Sequence, residues 1–199
     1  MAALAISGCS SSGEHTDSSA PTSKTSAPPS NSSTPQTPPP SRSGTAGTAP
    51  TWTPPASDPY RAWQAKPKGP IAPDAQDIHA KSVPLLNNTE ATYGSESGSK
   101  CWPARASALT SACTTATGKA EQTAQRALSW IKHEPATYFT TLRTNANHIL
   151  AAAGHYRTDR CADSPAAAPV RTRCQASAYA IAQAYPYLRG GFNAALEGR

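Results

Sequence analysis

From residue 101 onward, apolar residues return every three or four positions, the spacing of one face of an α-helix. Trp102, Ala106, Leu109, Cys113 and Ala116 form a first stripe, on a helix from Pro103 to Thr117 that Gly118 is expected to end. Ala120, Ala124, Ala127, Leu128 and Ile131 form a second, stopped where Glu134 precedes Pro135. Phe139, Leu142, Ala146, Ile149, Leu150 and Ala153 form a third, with Gly154 as its C-cap. The last stripe runs through Val170, Cys174, Ala178, Ile181, Tyr185, Leu188, Phe192 and Leu196, with a kink expected at Pro186 and a split at Gly190-Gly191. Upstream, Ser57-Asp58-Pro59 reads as a helix start with a proline in the first turn. A short helix over Tyr60 to Lys66 follows from it, then another over Asp74 to Ser82 stopped by Pro84, and a loop over 85–100. β-branched alternation is almost absent. The fold class is therefore all-α: a small bundle of about four main helices, preceded by short ones, with connections that favour antiparallel neighbours.

Before residue 56 the apolar pattern stops. Of the 46 residues from 10 to 55, 31 are Ser, Thr or Pro, and Trp52 is the one large apolar side chain. Such a segment cannot bury enough surface to offset its chain entropy, so it is expected to be a disordered stalk. Its reach runs from about 40 Å as a flexible coil to about 140 Å when extended. The composition is also that of O-glycosylated stalks. Three parts result: residues 1–8, residues 9–55 and a helical domain over 56–199. No run of 18 apolar residues exists, so no helix is expected to span a bilayer.

The first nine residues are apolar or small and end in a cysteine. Ile6, Ser7, Gly8 and Cys9 resemble the lipobox of bacterial lipoproteins, in its order aliphatic, small, small, Cys. The resemblance implies that the Cys9 thiol carries a diacylglycerol anchor, that residues 1–8 are the end of a signal peptide removed before it, and that acyl chains such as palmitate hold the protein on the extracytoplasmic face of the cell membrane. A secretory signal also needs a positively charged start and an apolar core of roughly 7–15 residues. No Lys or Arg precedes Cys9, so the signal is expected to begin upstream of Met1.

The helical faces are built largely from alanine, which lets helices approach closely but removes little apolar area, at roughly 25 cal/mol per Å². Four cysteines besides Cys9 are available to brace them: Cys101, Cys113, Cys161 and Cys174. An even number in an extracytoplasmic chain reads as two disulfides, and no C-x₂-C pair supports zinc. With Cys101 and Cys113 at the ends of one helix, about 17 Å apart at 1.5 Å per residue, bridges joining the 101–113 segment to the 161–174 segment are favoured over the two local pairs.

Charge is uneven. Residues 100–199 carry 12 Lys and Arg against 5 Asp and Glu, a net +7, and Arg157, Arg160, Arg171 and Arg173 cluster in sequence as a candidate anion-binding face. Outside the cytoplasm its partners would be another envelope protein or an anionic wall polymer; no motif points to nucleic acid. His148 and His155, seven apart on one helical face, are the candidate ligands of an alternative metal- or small-ligand-binding reading. Trp52, Tyr60, Trp63, Trp130, Tyr156, Tyr185 and Tyr187 are candidate contact aromatics. Catalytic motifs are missing: His133-Glu134-Pro135-Ala136-Thr137 lacks the second histidine of H-E-x-x-H, and Gly94-Ser95-Glu96-Ser97-Gly98 has Glu in place of a nucleophilic serine. No cofactor is implied. The expected function is non-catalytic: a lipid-anchored extracytoplasmic protein that presents a helical binding domain on a stalk.

Overall fold

A computed structural model of the protein describes residues 52–199. The lipobox, Cys9 and the linker up to Thr51 lie outside the described residues. Among the described residues there are five α-helices and no strand: α1 Ala75–Tyr93, α2 Ser111–Trp130, α3 Thr140–Thr158, α4 Ala168–Ala182 and α5 Ala184–Leu196. Single 3₁₀ turns at Trp63–Ala65, Glu96–Gly98, Ala106–Leu109 and Cys161–Asp163 punctuate the connections.

The centre of the domain is the pair α3 and α5. Helix α3 packs against α5, α2 and α4, while α1 lies along the other side of α5. Helix α5 is buried almost all round, through Tyr185, Tyr187, Leu188, Phe192 and the small residues between them. Its one half-buried stripe runs through Pro186, Arg189 and Asn193, and a helix with so wide an apolar face belongs in a core. The two glycines expected to split it are close-approach positions. A Cβ on Gly191 would lie 2.7 Å from the Cα of Leu142 on α3, and one on Gly190 would lie 2.9 Å from the indole of Trp63. Bulk at either position would push apart the elements that meet there.

Several helix boundaries differ from the expectation. Helix α1 runs through Pro84 to Tyr93 and takes in much of the expected loop. Pro84 and Ala80, whose carbonyl loses its partner, are both exposed, so water replaces the bond, while Ile78, Ser82 and Leu86 bury the opposite face. Helix α2 begins at Ser111, where the Thr110 side chain accepts from the Ala112 N–H at 3.3 Å, and it continues through the exposed Gly118. Helix α3 likewise continues past Gly154 to Thr158. The last stripe breaks at Gln183, three residues before Pro186. Pro186 therefore falls in the first turn of α5, where its missing N–H costs nothing. Of the expected helix over Tyr60 to Lys66, a single 3₁₀ turn forms.

The late start of α2 also decides the disulfides. They are the two local pairs, Cys101–Cys113 with Cα atoms 4.8 Å apart and Cys161–Cys174 at 5.3 Å, which corrects the expected bridges between the two segments. Cys101 lies in a loop and Cys113 in the first turn of α2, so no helix holds them apart. Closing loops of this length contributes about 3 kcal/mol each through the unfolded chain. Between α2 and α3, the Arg143 guanidinium donates to the carbonyls of Ile131 (2.7 Å) and Glu134 (2.9 Å), a cation on the open C-terminal end of α2.

A Cβ at Gly118 or Gly154 would meet nothing within 4 Å. Gly118→Ala and Gly154→Ala should each raise the unfolding free energy by about 0.5–1 kcal/mol, whereas Gly191→Ala should lower it. Urea denaturation of the three variants distinguishes glycines kept by packing from glycines merely tolerated in a helix.

Candidate functional site

Two adjoining cavities of about 370 and 340 Å³ run along the seam between α3 and α4 and share His148, Ala176 and Ala180. On α3 the lining follows one stripe, His148, Ala151, Ala152 and His155; on α4 it is Arg173, Ala176, Ser177 and Ala180. Helical spacing of three and four puts each set on one face. The buried Ala152 and Ala180 floor the seam and the exposed Ala151 and Ala176 edge it, and their short side chains leave a trough where larger residues would meet.

The remaining wall is the segment that leads into the domain. Trp52, Thr53, Pro55, Ser57, Asp58 and Tyr60 line the upper cavity together with Tyr179 and Tyr187. Trp52 lies against Tyr179 (5.1 Å between centroids) and edge-on to Trp102 (5.9 Å). Tyr60 stacks on the His148 ring at 3.7 Å with planes 10° apart. Asp58 fastens this strap. Its Oδ1 accepts the Tyr60 N–H at 3.0 Å, and its Oδ2 accepts the hydroxyls of Tyr187 (2.5 Å) and Tyr179 (3.2 Å). Asn145, fully buried on α3, completes the attachment by donating to the carbonyls of Tyr60 (3.1 Å) and Tyr187 (2.7 Å).

Burial favours the neutral form of the rings around Asp58. Burial, then the Asp58 charge, pushes the Tyr179 hydroxyl up to about 12. The Tyr187 hydroxyl is raised further, by burial and by its hydrogen bond to Asp58, so both phenols remain donors. Burial lowers the His148 imidazole below the ordinary histidine value, with the Asp58 charge opposing it in part. A neutral His148 has a donor and an acceptor nitrogen on an otherwise apolar wall. The trough can therefore take a flat or aliphatic group and make a few oriented hydrogen bonds, the general character of a small-ligand pocket.

The candidate residues separate cleanly. His148 and His155 do line one cavity, but among the described residues no set of three His, Cys, Asp or Glu comes together. Trp52, Tyr60 and Tyr187 reach the trough. Trp63 lies in a different, polar cleft with Arg61, Glu90 and Arg189. Trp130 packs against Phe192, and Tyr185 is buried in the core. Tyr156 is buried too and donates to the carbonyls of Ala108 (2.8 Å) and Thr110 (3.3 Å), tying α3 to the turn before α2. The expected basic face is mostly neutralised: Arg157 pairs with Glu121, Arg160 with Asp163 and Arg173 with Asp159, which leaves Arg171 of that group outside an ion pair among the described residues. Sequence reasoning missed Asp58 and Asn145 as site residues. Asp58 reads as a helix cap, and its capping geometry does satisfy Tyr60, while its second oxygen reaches partners more than 120 positions away.

No family model, curated protein or solved structure matches the chain.

Removing the Asp58 carboxylate leaves the buried Tyr187 hydroxyl without an acceptor. Asp58→Ala should cost about 1–3 kcal/mol and speed limited proteolysis between Trp52 and Tyr60. Because His148 binds its proton less readily in the fold than in the unfolded chain, its contribution to stability is present above the ordinary histidine range and is lost as the pH falls through and below it. His148→Phe, which keeps the stack on Tyr60, should flatten this acid limb, as measured by denaturation at pH 7.5 and 5.5.

Proposed function

We propose that the protein is a lipid-anchored extracytoplasmic binding protein. Cys9 carries the anchor, the linker sets the helical domain away from the membrane, and the trough between α3 and α4 takes an apolar or aromatic group of the partner. The observation that carries this reading is the cysteine pattern. Four of the five cysteines form two disulfides, a state that persists in oxidising compartments, and the one left over stands where a lipobox places its acylated residue. A diacylated cysteine holds a protein at a bilayer far more firmly than one chain would. Consistent with such an anchor, no helix among the described residues is long and apolar enough to cross a membrane.

Binding in place of catalysis is favoured by the trough's make-up: an alanine floor, aromatic walls, and one carboxylate already engaged by three donors. A small-ligand reading on His148 and His155 fits the same trough, since both rings edge it.

Detergent phase partitioning of cells producing the full chain should place it in the detergent phase, and Cys9→Ser should move it to the aqueous phase. Alkylation of the denatured, unreduced protein should leave Cys101, Cys113, Cys161 and Cys174 unlabelled. A Cys9→Ser protein that stays with detergent removes the anchor, and four labelled thiols remove the oxidising compartment. The trough is tested with N-phenylnaphthylamine, an uncharged apolar fluorophore: the wild type should enhance its emission, and Ala176→Glu, at an exposed position on the rim, should abolish most of that gain.

A further inference from the structure

A second groove, of about 310 Å³, lies between α1 and α2 on a different part of the domain, and its charge pattern is unlike any other surface described. Lys119 and Arg126 line it, and neither forms an ion pair among the described residues. Six other arginines do, including three of the four that sequence proximity groups into a basic face. No acidic residue lines the groove. The nearby carboxylates on the same two helices are turned elsewhere: Glu90 holds Arg189 on α5, and Glu121 holds Arg157 on α3.

The neutral lining completes the pattern. Lys119 donates to Gln122 Oε1 at 3.1 Å, which leaves the Gln122 amide nitrogen as a donor toward solvent. The hydroxyls of Thr92 and Thr123 donate back to their own helices, to the carbonyls of Asn88 and Lys119, so their oxygens still accept. Lys119 and Arg126 are two helical turns apart, about 10.5 Å at 1.5 Å per residue. A lone oxyanion would call for converging cations. Two cations on one helix face, carried on side chains long enough to adjust the separation of their charged ends and with amides and hydroxyls between them, suit an extended chain in which anionic groups alternate with hydroxyl-bearing units.

We propose that the α1–α2 groove binds a linear phosphodiester polymer of polyols, with successive phosphates at Lys119 and Arg126 and the intervening hydroxyls against the amide and threonine side chains. Guanidinium and ammonium groups are well suited to phosphate oxygens. The choice of an envelope polymer rests on the extracytoplasmic reading above; the charge chemistry of the groove does not.

The test uses the full-length protein in neutral detergent, a synthetic glycerol phosphate decamer, glycerol 3-phosphate as the single-anion probe, and hyaluronate as a carboxylate polyanion. The decamer should bind at least tenfold more tightly than glycerol 3-phosphate, and log Kd should rise with log salt with a slope of about 1.4, the value for two phosphate contacts on a flexible strand. Lys119→Gln/Arg126→Gln should weaken decamer binding at least tenfold without changing the thermal midpoint. Arg160→Gln/Arg171→Gln, which removes the same net charge from the α3–α4 turn and the first turn of α4, should leave binding unchanged. Equal weakening by both double variants, or none by the first, overturns the site; glycerol 3-phosphate binding as tightly as the decamer overturns the two-anion reading; hyaluronate binding as tightly overturns phosphodiester recognition. Because binding is read on purified protein, a failed anchor at Cys9 and a failed groove give separate results.

Discussion

A Cβ at Gly191 would sit 2.7 Å from the Cα of Leu142, so α5 lies against α3 at a separation that only glycine permits. The whole domain is organised around that contact. Its helices are built from alanine, which yields little apolar area per contact, and the deficit is met by depth: α5 is enclosed by α1, α3 and the Trp63 turn, with Tyr185, Tyr187 and Phe192 filling the space around it. The break at Gln183 and the first-turn position of Pro186 follow from the need to turn the chain into that central slot. Once there, α5 presents the Tyr187 carbonyl to Asn145 and the Tyr187 hydroxyl to Asp58. The core thus sets the anchor points of the strap.

The trough is a consequence of the same economy. Where two alanine stripes face one another on α3 and α4, the helices meet at their floors and leave a channel at their rims. The strap from Trp52 to Tyr60 then roofs one end. Three hydrogen bonds converge on Asp58, and the flat stack of Tyr60 on His148 holds a ring that burial keeps neutral. A segment whose composition belongs to the linker therefore furnishes a wall of the cavity.

Charge is distributed by the same packing. Acidic residues are scarce, and most of those on α1, α2 and the α3–α4 turn are engaged by an arginine across a helix interface or a turn. The surplus of positive charge, counted over the last hundred residues, is consequently not where the arginines are densest in sequence. Among the described residues it includes Lys119 and Arg126, whose groove is lined by no acidic residue.

The amino-acid sequence by itself determined the helical class, the two-disulfide count and the place where an apolar pattern gives way to a Ser/Thr/Pro-rich one, because period, cysteine number and composition are local properties. It also pointed to His148, Trp52 and Tyr60, although not to the partners that bring them together. The tertiary structure alone decided where α2 begins, and with it the local disulfides, since Thr110 caps a helix that apolar spacing extended back to Pro103. It also decided that Pro84, Gly118 and Gly154 are passed without a break, because each faces solvent or open space where a lost bond or a missing Cβ is cheap. Finally it decided which cations are spoken for and which carboxylate fastens the strap. Those outcomes depend on pairs separated by tens of residues, and neither periodicity nor composition reports on such pairs.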